Sequence, residues 1–236
     1  MSTARTTFQT RFGNKAVLPV IHVEDAAQAR RNVDIAREAG ADGVWLINHD
    51  ISSTALLPVL AEVIAEQAGW FVGTNLLDRY PHEAFTLLPA GCGGLWADNP
   101  GIDERTSEQP YAEQVSDAHV IADPSMHVLY FAGLDFKYQR KPDDLAKACK
   151  LVAHYSDVAC TSGPGTGHAA NIDRIAALVS HLDGHPLAIA SGITPDNVHT
   201  YLPYIDAFLV ATGISSSFTE LDPAKTRALV EAVRGS

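Results

Sequence analysis

Residues 186–213 read Pro-Leu-Ala-Ile-Ala-Ser-Gly-Ile-Thr-Pro-Asp-Asn-Val-His-Thr-Tyr-Leu-Pro-Tyr-Ile-Asp-Ala-Phe-Leu-Val-Ala-Thr-Gly. Two short apolar runs, Leu187–Ala190 and Ala207–Val210, each lead into a hydroxyl–glycine pair, Ser191-Gly192 and Thr212-Gly213. The residues between them predict one helix, with Thr194 as N-cap, Pro195 at the first helical position and Asp196 in the first turn. Strands that are apolar throughout are those of a parallel sheet covered on both faces. Glycine just beyond a strand lets a ligand approach the backbone, and free N–H groups at a helix start attract an anion. Ser191, Gly192, Thr212 and Gly213 are therefore candidate phosphate ligands, because the turns after the last two strands of an eightfold barrel are where a phosphate site usually forms. Tight-turn formation alone is the competing reading of these glycines.

Outward from that unit the same alternation recurs. Apolar runs at Ala16–Ile21, Gly43–Ile47, Trp70–Thr74, Gly94–Trp96, His127–Ala132 and Val158–Cys160 predict six further strands. Helical spacing of apolar residues predicts helices over Asp25–Ala39, Thr54–Ala68, Pro81–Leu88, Pro142–Tyr155, Asn171–Leu182 and Asp222–Arg234, the last capped by Asp222 with Pro223 behind it. Pro100–Asp123 is polar and irregular apart from a short helix at Tyr111–Ala118, and a long loop at this place suggests a covered site. Eight strand–helix units with no linker predict one domain, residues 1–236, folded as a (β/α)8 TIM barrel with Phe8–Phe12 across its bottom. An open doubly wound sheet is the alternative.

Composition narrows the partners. A hydrophobic fraction of 46% supplies a large core, and a net charge of −11 argues against nucleic acid or an anionic membrane surface. Any phosphate must then be held by backbone and a few placed cations. Cys92, Cys149 and Cys160 form neither a disulfide framework nor a metal pair, which fits a reducing cytoplasm. No run reaches membrane-spanning length, so no membrane insertion is expected. Homo-oligomerisation is left open.

The loops that follow the strands carry the chemistry in a barrel of this kind. There the chain places His22, Asn48, His49, Asp50, Asn75, Asp98, Asn99, Asp135, Lys137, Ser162, Thr166, Ser191 and Thr212. Asp and Asn often follow strands as turn formers and caps, which accounts for Asp50 readily. His22, His49 and Lys137 are not preferred there. Asp135 and Lys137, two apart on an extended chain, are expected to share one face as an acid/base or amine pair, with His22 and Asp98 in support. Asn48, His49, Asn75, Asn99, Ser162 and Thr166 are the expected substrate contacts. The run from Ser162 to Gly167 fits no nucleotide-loop pattern and reads as a lid or a substrate-contacting turn. No spacing demands a metal, and no cofactor is expected.

Three segments carry a family resemblance: Ser162-Gly163-Pro164-Gly165-Thr166-Gly167, Ala190 through Val198, and Asp206 through Thr212. Together they resemble the BtpA family of ribulose-phosphate-binding-type barrels, named for a photosystem I biogenesis factor. Val20–Val23 and Val72–Leu77 are similar to the family's first and third strands, and Lys137 matches its lysine after strand 5. The similarity is strong over about Cys160–Val233 and thin between Pro100 and His127. The chain departs from the pattern at Asn48-His49-Asp50 and Trp96-Ala97-Asp98-Asn99, as a divergent member would. The resemblance implies a closed barrel and a phosphate-type site without an established reaction. The resulting expectation is an enzyme of isomerase or lyase type acting on a small phosphorylated sugar or ribonucleotide-like metabolite. A BtpA-type assembly factor or a phosphometabolite sensor is the alternative.

Overall fold

The computed structural model describes residues 3–125 and 127–235. Eight parallel strands close into a barrel in sequence order: β1 Ala16–His22, β2 Gly43–Ile47, β3 Phe71–Asn75, β4 Gly94–Ala97, β5 Leu129–Gly133, β6 Val158–Thr161, β7 Leu187–Ala190 and β8 Ala207–Val210. Closure comes from β1 pairing with β8, Ala16 beside Ala207 through Pro19 beside Val210. The helices are α1 Thr3–Phe12, α2 Ala26–Glu38, α3 Ser53–Glu66, α4 Pro81–Leu87, α5 Pro110–Ala122, α6 Leu145–Tyr155, α7 Ile172–Leu182, α8 Val198–Tyr201 and α9 Pro223–Arg234. This is the expected TIM barrel.

Strand alternation sorts the core into two layers. Ala16, Leu18 and Val20 of β1 point inside, together with Trp45, Ile47, Phe71, Trp96, Phe131, Cys160, Ala188 and Leu209. Val17, Ile21, Val44, Leu46, Val72 and Leu95 point outward under the helices. The interior is filled, so the barrel is a packed core and not a channel. Phe8 and Phe12 of α1 belong to the interior layer, and Phe12 meets the Phe71 ring edge-on at 5.1 Å. They close the bottom as the sequence predicts, and Arg5 pins the helix through an ion pair with Asp206.

Side-chain caps start the helices where the sequence places them: Asp25, Asn171 and Asp222 each accept a backbone N–H of the first turn. Several boundaries differ by a residue or two, and four elements differ as follows. The sixth helix starts at Leu145, not Pro142, because Asp144 caps it and the Asp143 N–H is held by Glu104 at 2.8 Å. The helix expected from Thr194 starts only at Val198. Thr194 and Asn197 bond each other's backbone N–H (2.9 and 3.3 Å), which makes residues 194–197 a turn. Strand 5 begins at Leu129, since Asp123 takes the Val128 N–H at 2.6 Å and ends the approach in a loop. The short helix read at Tyr111–Ala118 runs from Pro110 to Ala122. No helix among the described residues is long and apolar enough to cross a membrane.

The interior has no slack at Gly73. A Cβ there would lie 2.4 Å from the fully buried Trp45 ring. Gly73→Ala is therefore expected to destabilise the fold by about 1–3 kcal/mol, the usual cost of overpacking. Urea denaturation checks this, and an unchanged midpoint would show that Trp45 repacks freely.

Candidate active site

The same alternation builds the barrel mouth. One step beyond the inward Val20 comes His22, beyond Ile47 comes His49, beyond Gly73 comes Asn75, and beyond Trp96 comes Asp98. All four line one cavity of about 210 Å3 at the C-terminal end of the strands. Lys137, Thr166, Ser191 and Thr212, from the loops after β5, β6, β7 and β8, complete its polar wall. All eight strand ends contribute to the cavity. Trp96, Leu77, Tyr138 and Phe218 supply apolar surface that the sequence reading did not single out. Trp96 was detectable by its inward phase; Phe218 and Tyr138 sit in irregular loops and carried no such signal.

Asp135 breaks the phase. Its φ of 52° is left-handed, a conformation that Asp tolerates better than most residues. The chain after it is rotated, so Phe136 enters the interior layer and Asp135 points outward. The Asp135 carboxylate pairs with Arg174 at 2.6 Å and Lys141 at 3.1 Å. The expected Asp135–Lys137 pair on one face is thus not formed, because the chain between them is not extended. Asn48 is out of phase with His49: its amide donates to Asp78 at 2.8 Å and its oxygen accepts the Leu77 N–H at 2.7 Å, so it fixes loops outside the cavity. Asn99 likewise lies outside, accepting the Gly101 N–H at 2.9 Å. Ser162 is buried and accepts the Lys137 N–H at 2.7 Å, which positions the lysine.

The loops over the mouth hold one another. Lys137 Nζ lies 3.4 Å from Thr166 Oγ1, the Thr166 N–H donates to the Tyr138 hydroxyl at 3.3 Å, and Ser191 Oγ donates to the Gly165 carbonyl at 3.3 Å. Three of the four non-glycine residues with positive φ, Asp135, Tyr138 and Ser191, belong to these loops. Backbone strain of this kind gathers at functional sites, where surrounding structure maintains it. The long loop after β4 is strapped down by the buried Glu104, which binds Arg140 at 2.5 and 2.9 Å. That pairing holds the Glu104 carboxyl down at about 2.

Charge at the mouth is tuned by burial. Desolvation raises the Asp98 carboxyl above its ordinary value, against the opposing pull of Lys137 and of Asn75, whose amide donates to it at 3.1 Å. Desolvation is also the main cause that lowers His22 to about 4, assisted by His49 and Lys137. His22 is thus neutral at physiological pH, and Asp98 is more readily protonated than an exposed aspartate. Its placement depends on Gly133, where a Cβ would lie 1.9 Å from the Asp98 carbonyl oxygen.

On the β7 and β8 side the cavity is lined by Ala190, Ser191, Leu209, Ala211 and Thr212. Among the described residues, the N–H groups of Gly192, Ile193, Thr212 and Gly213 have no hydrogen-bond partner. Thr212 lines the cavity together with Ser191, and Gly192, Ile193 and Gly213 lie next to them in the chain. Both glycines are also packing positions: a Cβ on Gly192 would lie 2.1 Å from the His168 carbonyl oxygen, and one on Gly213 1.8 Å from that of Ile193. The turn-forming and the anion-binding readings of these glycines are therefore compatible. Among the described residues, no group of three or more His, Cys, Asp or Glu side chains is placed to hold a metal ion.

No family model matches the chain. An uncharacterized protein of Thermococcus kodakarensis is 25% identical over 225 residues, which cover 87% of this chain and 85% of that protein. Among solved structures, the tryptophan synthase alpha subunit of Legionella pneumophila superposes with a TM-score of 0.69 at 13% identity over the whole of both chains. KGPDC of Streptococcus mutans, solved in complex with D-R5P, gives 0.67 at 8% identity over 94% of this chain and 98% of that one. Phosphoribosyl anthranilate isomerase of Thermus thermophilus gives 0.60 at 18% over 93% and 98%. At these identities the likeness shows the fold, a TIM barrel.

Two opposite pH effects follow from the buried groups. His22 is protonated more easily in the unfolded chain, so its contribution is complete above about 6.5 and is lost as pH falls toward about 4. His22→Gln is expected to flatten the stability–pH curve over that window by on the order of 1–3 kcal/mol. The raised Asp98 carboxyl acts in the other sense, its ionised form opposing folding as pH rises. Asp98→Asn should therefore raise the melting temperature at pH 8 more than at pH 4. Thermal denaturation across pH checks both, and parallel curves for wild type and variants would contradict them.

Proposed function

We propose that the chain is an enzyme of isomerase or aldolase-type lyase chemistry on a small phosphorylated sugar or ribonucleotide-like metabolite. The observation that carries this is the opposition of two walls across one cavity. One wall ends in Ser191 and Thr212, next to the N–H groups of Gly192, Ile193 and Gly213, which have no partner among the described residues; the other offers Lys137, Asp98 and Asn75. Backbone donors hold a phosphate without a basic surface, which suits a net charge of −11. Support by analogy comes from similar barrels, one of them solved with D-R5P bound. The BtpA-type resemblance agrees with a phosphate site of this kind, and we take the chain as a divergent member of that group.

With the phosphate anchored beneath Ser191 and Thr212, the carbon chain of the substrate runs toward Lys137 and Asp98. Asp98, raised by burial, exchanges a proton with a carbon next to a carbonyl. Lys137 either stabilises the oxyanion that develops or condenses with the carbonyl as an imine, releasing water. Neutral His22 serves as a hydrogen-bond partner for a substrate hydroxyl. Asp135, tied to Arg174 and Lys141, has a structural role.

A panel of pentose and hexose phosphates in D2O tests this, because proton exchange next to a carbonyl shows in NMR spectra before the product is known. Exchange with at least one sugar phosphate is expected, reduced about 10²–10³-fold by Lys137→Met and by Asp98→Asn. Borohydride leaves a mass adduct on Lys137 only if the imine route operates. Binding without exchange or turnover would replace the enzyme reading by the sensor reading, and full exchange in both variants would remove the two residues from the mechanism.

A further inference from the structure

The central cavity has a neighbour that the proposed chemistry leaves unused. A second cavity of about 320 Å3 lies between the ends of β3 and β4 and helices α4 and α5. The two share a wall of Asn75, Leu77, Trp96 and Asp98. Asp98, the group assigned to proton transfer, stands at the junction. Away from it the second cavity is bounded by Tyr80, Tyr111, Arg79 and Gln139.

Its surfaces suit a flat ring. The Tyr80 and Tyr111 rings meet edge-on, their centroids 6.2 Å apart at 78°, and Tyr80 is 65% exposed, leaving ring surface unburied. Tyr111 is pressed against Gly101, where a Cβ would come within 1.7 Å of the ring, so any side chain at 101 would displace it. His82 stacks on Tyr80 at 6.0 Å and meets Tyr111 edge-on at 5.6 Å, and the ring surface that Tyr80 leaves exposed offers an aromatic contact to a planar guest. Trp96, 6% exposed in the shared wall, has an indole N–H with no partner among the described residues. A buried donor left unpaired costs free energy that a ligand acceptor would recover. Arg79 and Gln139 add polar groups of the kind that orient a heterocycle or its substituents.

Position sets the direction of the ligand. In a closed ring of eight strands, β3 is four places from β7 and β4 is four places from β8. The ring-lined cavity therefore lies diametrically across the mouth from the N–H groups of Gly192 and Gly213. We propose that the substrate is a sugar phosphate bearing a planar aromatic or heterocyclic group, with the phosphate at the β7–β8 side, the sugar at Asp98 and Lys137, and the ring in the cavity of Tyr80 and Tyr111. This rests on the phosphate reading above and selects the ribonucleotide-like class over plain sugar phosphates.

Calorimetric titration with D-ribose 5-phosphate, with a pyrimidine and a purine nucleoside 5′-monophosphate, and with the matching nucleosides separates the two ideas. At least one monophosphate is expected to bind tenfold or more tightly than ribose 5-phosphate, and Tyr80→Leu to bring it back toward the ribose 5-phosphate value. Ser191→Asp, which sets a negative charge at the phosphate wall, is expected to weaken both phosphorylated probes more than tenfold. Equal affinity for ribose 5-phosphate and both monophosphates, or a Tyr80→Leu variant that keeps the full difference, overturns the ring assignment and leaves the phosphate reading standing. Failure of every phosphorylated probe to bind overturns both.

Discussion

Pairing of β1 with β8 is the constraint on which the functional face depends. Once Ala16–Pro19 lies beside Ala207–Val210, the sheet has no edge and every strand is covered on both sides. Backbone hydrogen bonds are then satisfied within the ladder, and the interior must be filled by side chains of alternating phase. Trp45, Phe71, Trp96 and Phe131 fill it so completely that Gly73 is needed to make room. The bottom is closed by Phe8 and Phe12. Polar side chains in the inward phase are left with one place to go, the rim at the strand ends.

At that rim, burial and charge are balanced unevenly, and the imbalance separates carboxylates that hold loops together from one that is poorly compensated. Asp135, Glu104 and Asp78 each have several partners and hold loops together. Asp98 has the Asn75 amide and the field of Lys137, set against strong desolvation. A carboxyl held above its ordinary value by burial, against the opposing pull of Lys137, is poorly placed for stability. Such perturbed groups gather where chemistry is done.

Much of the fold was legible because buried parallel strands read as continuous apolar runs and the helix caps Asp25, Asn171 and Asp222 are local signals. Part of the site was legible for the same reason: His22, His49, Asn75 and Asp98 follow inward residues at a spacing of two. The same rule, applied strictly, separates Asn48 and Asn99 from them. It failed at Asp135, where one left-handed residue shifts the phase, and a sequence does not reveal which aspartate takes that conformation. The free N–H groups at Gly192 and Gly213 were inferable only as a tendency, because their freedom depends on what the neighbouring loops bond. The cavity of Tyr80 and Tyr111 was not legible at all: its walls come from residues more than thirty apart, brought together by the packing of α4 against α5.

The central claim is that backbone donors at the ends of β7 and β8 hold a phosphate. Its most direct test is an amide NMR titration of the 15N-labelled chain with inorganic phosphate, with chloride at equal ionic strength as control. The account predicts saturable shifts concentrated at the N–H groups of Gly192, Ile193, Thr212 and Gly213. Unmoved resonances there, with shifts confined to other regions, would contradict it.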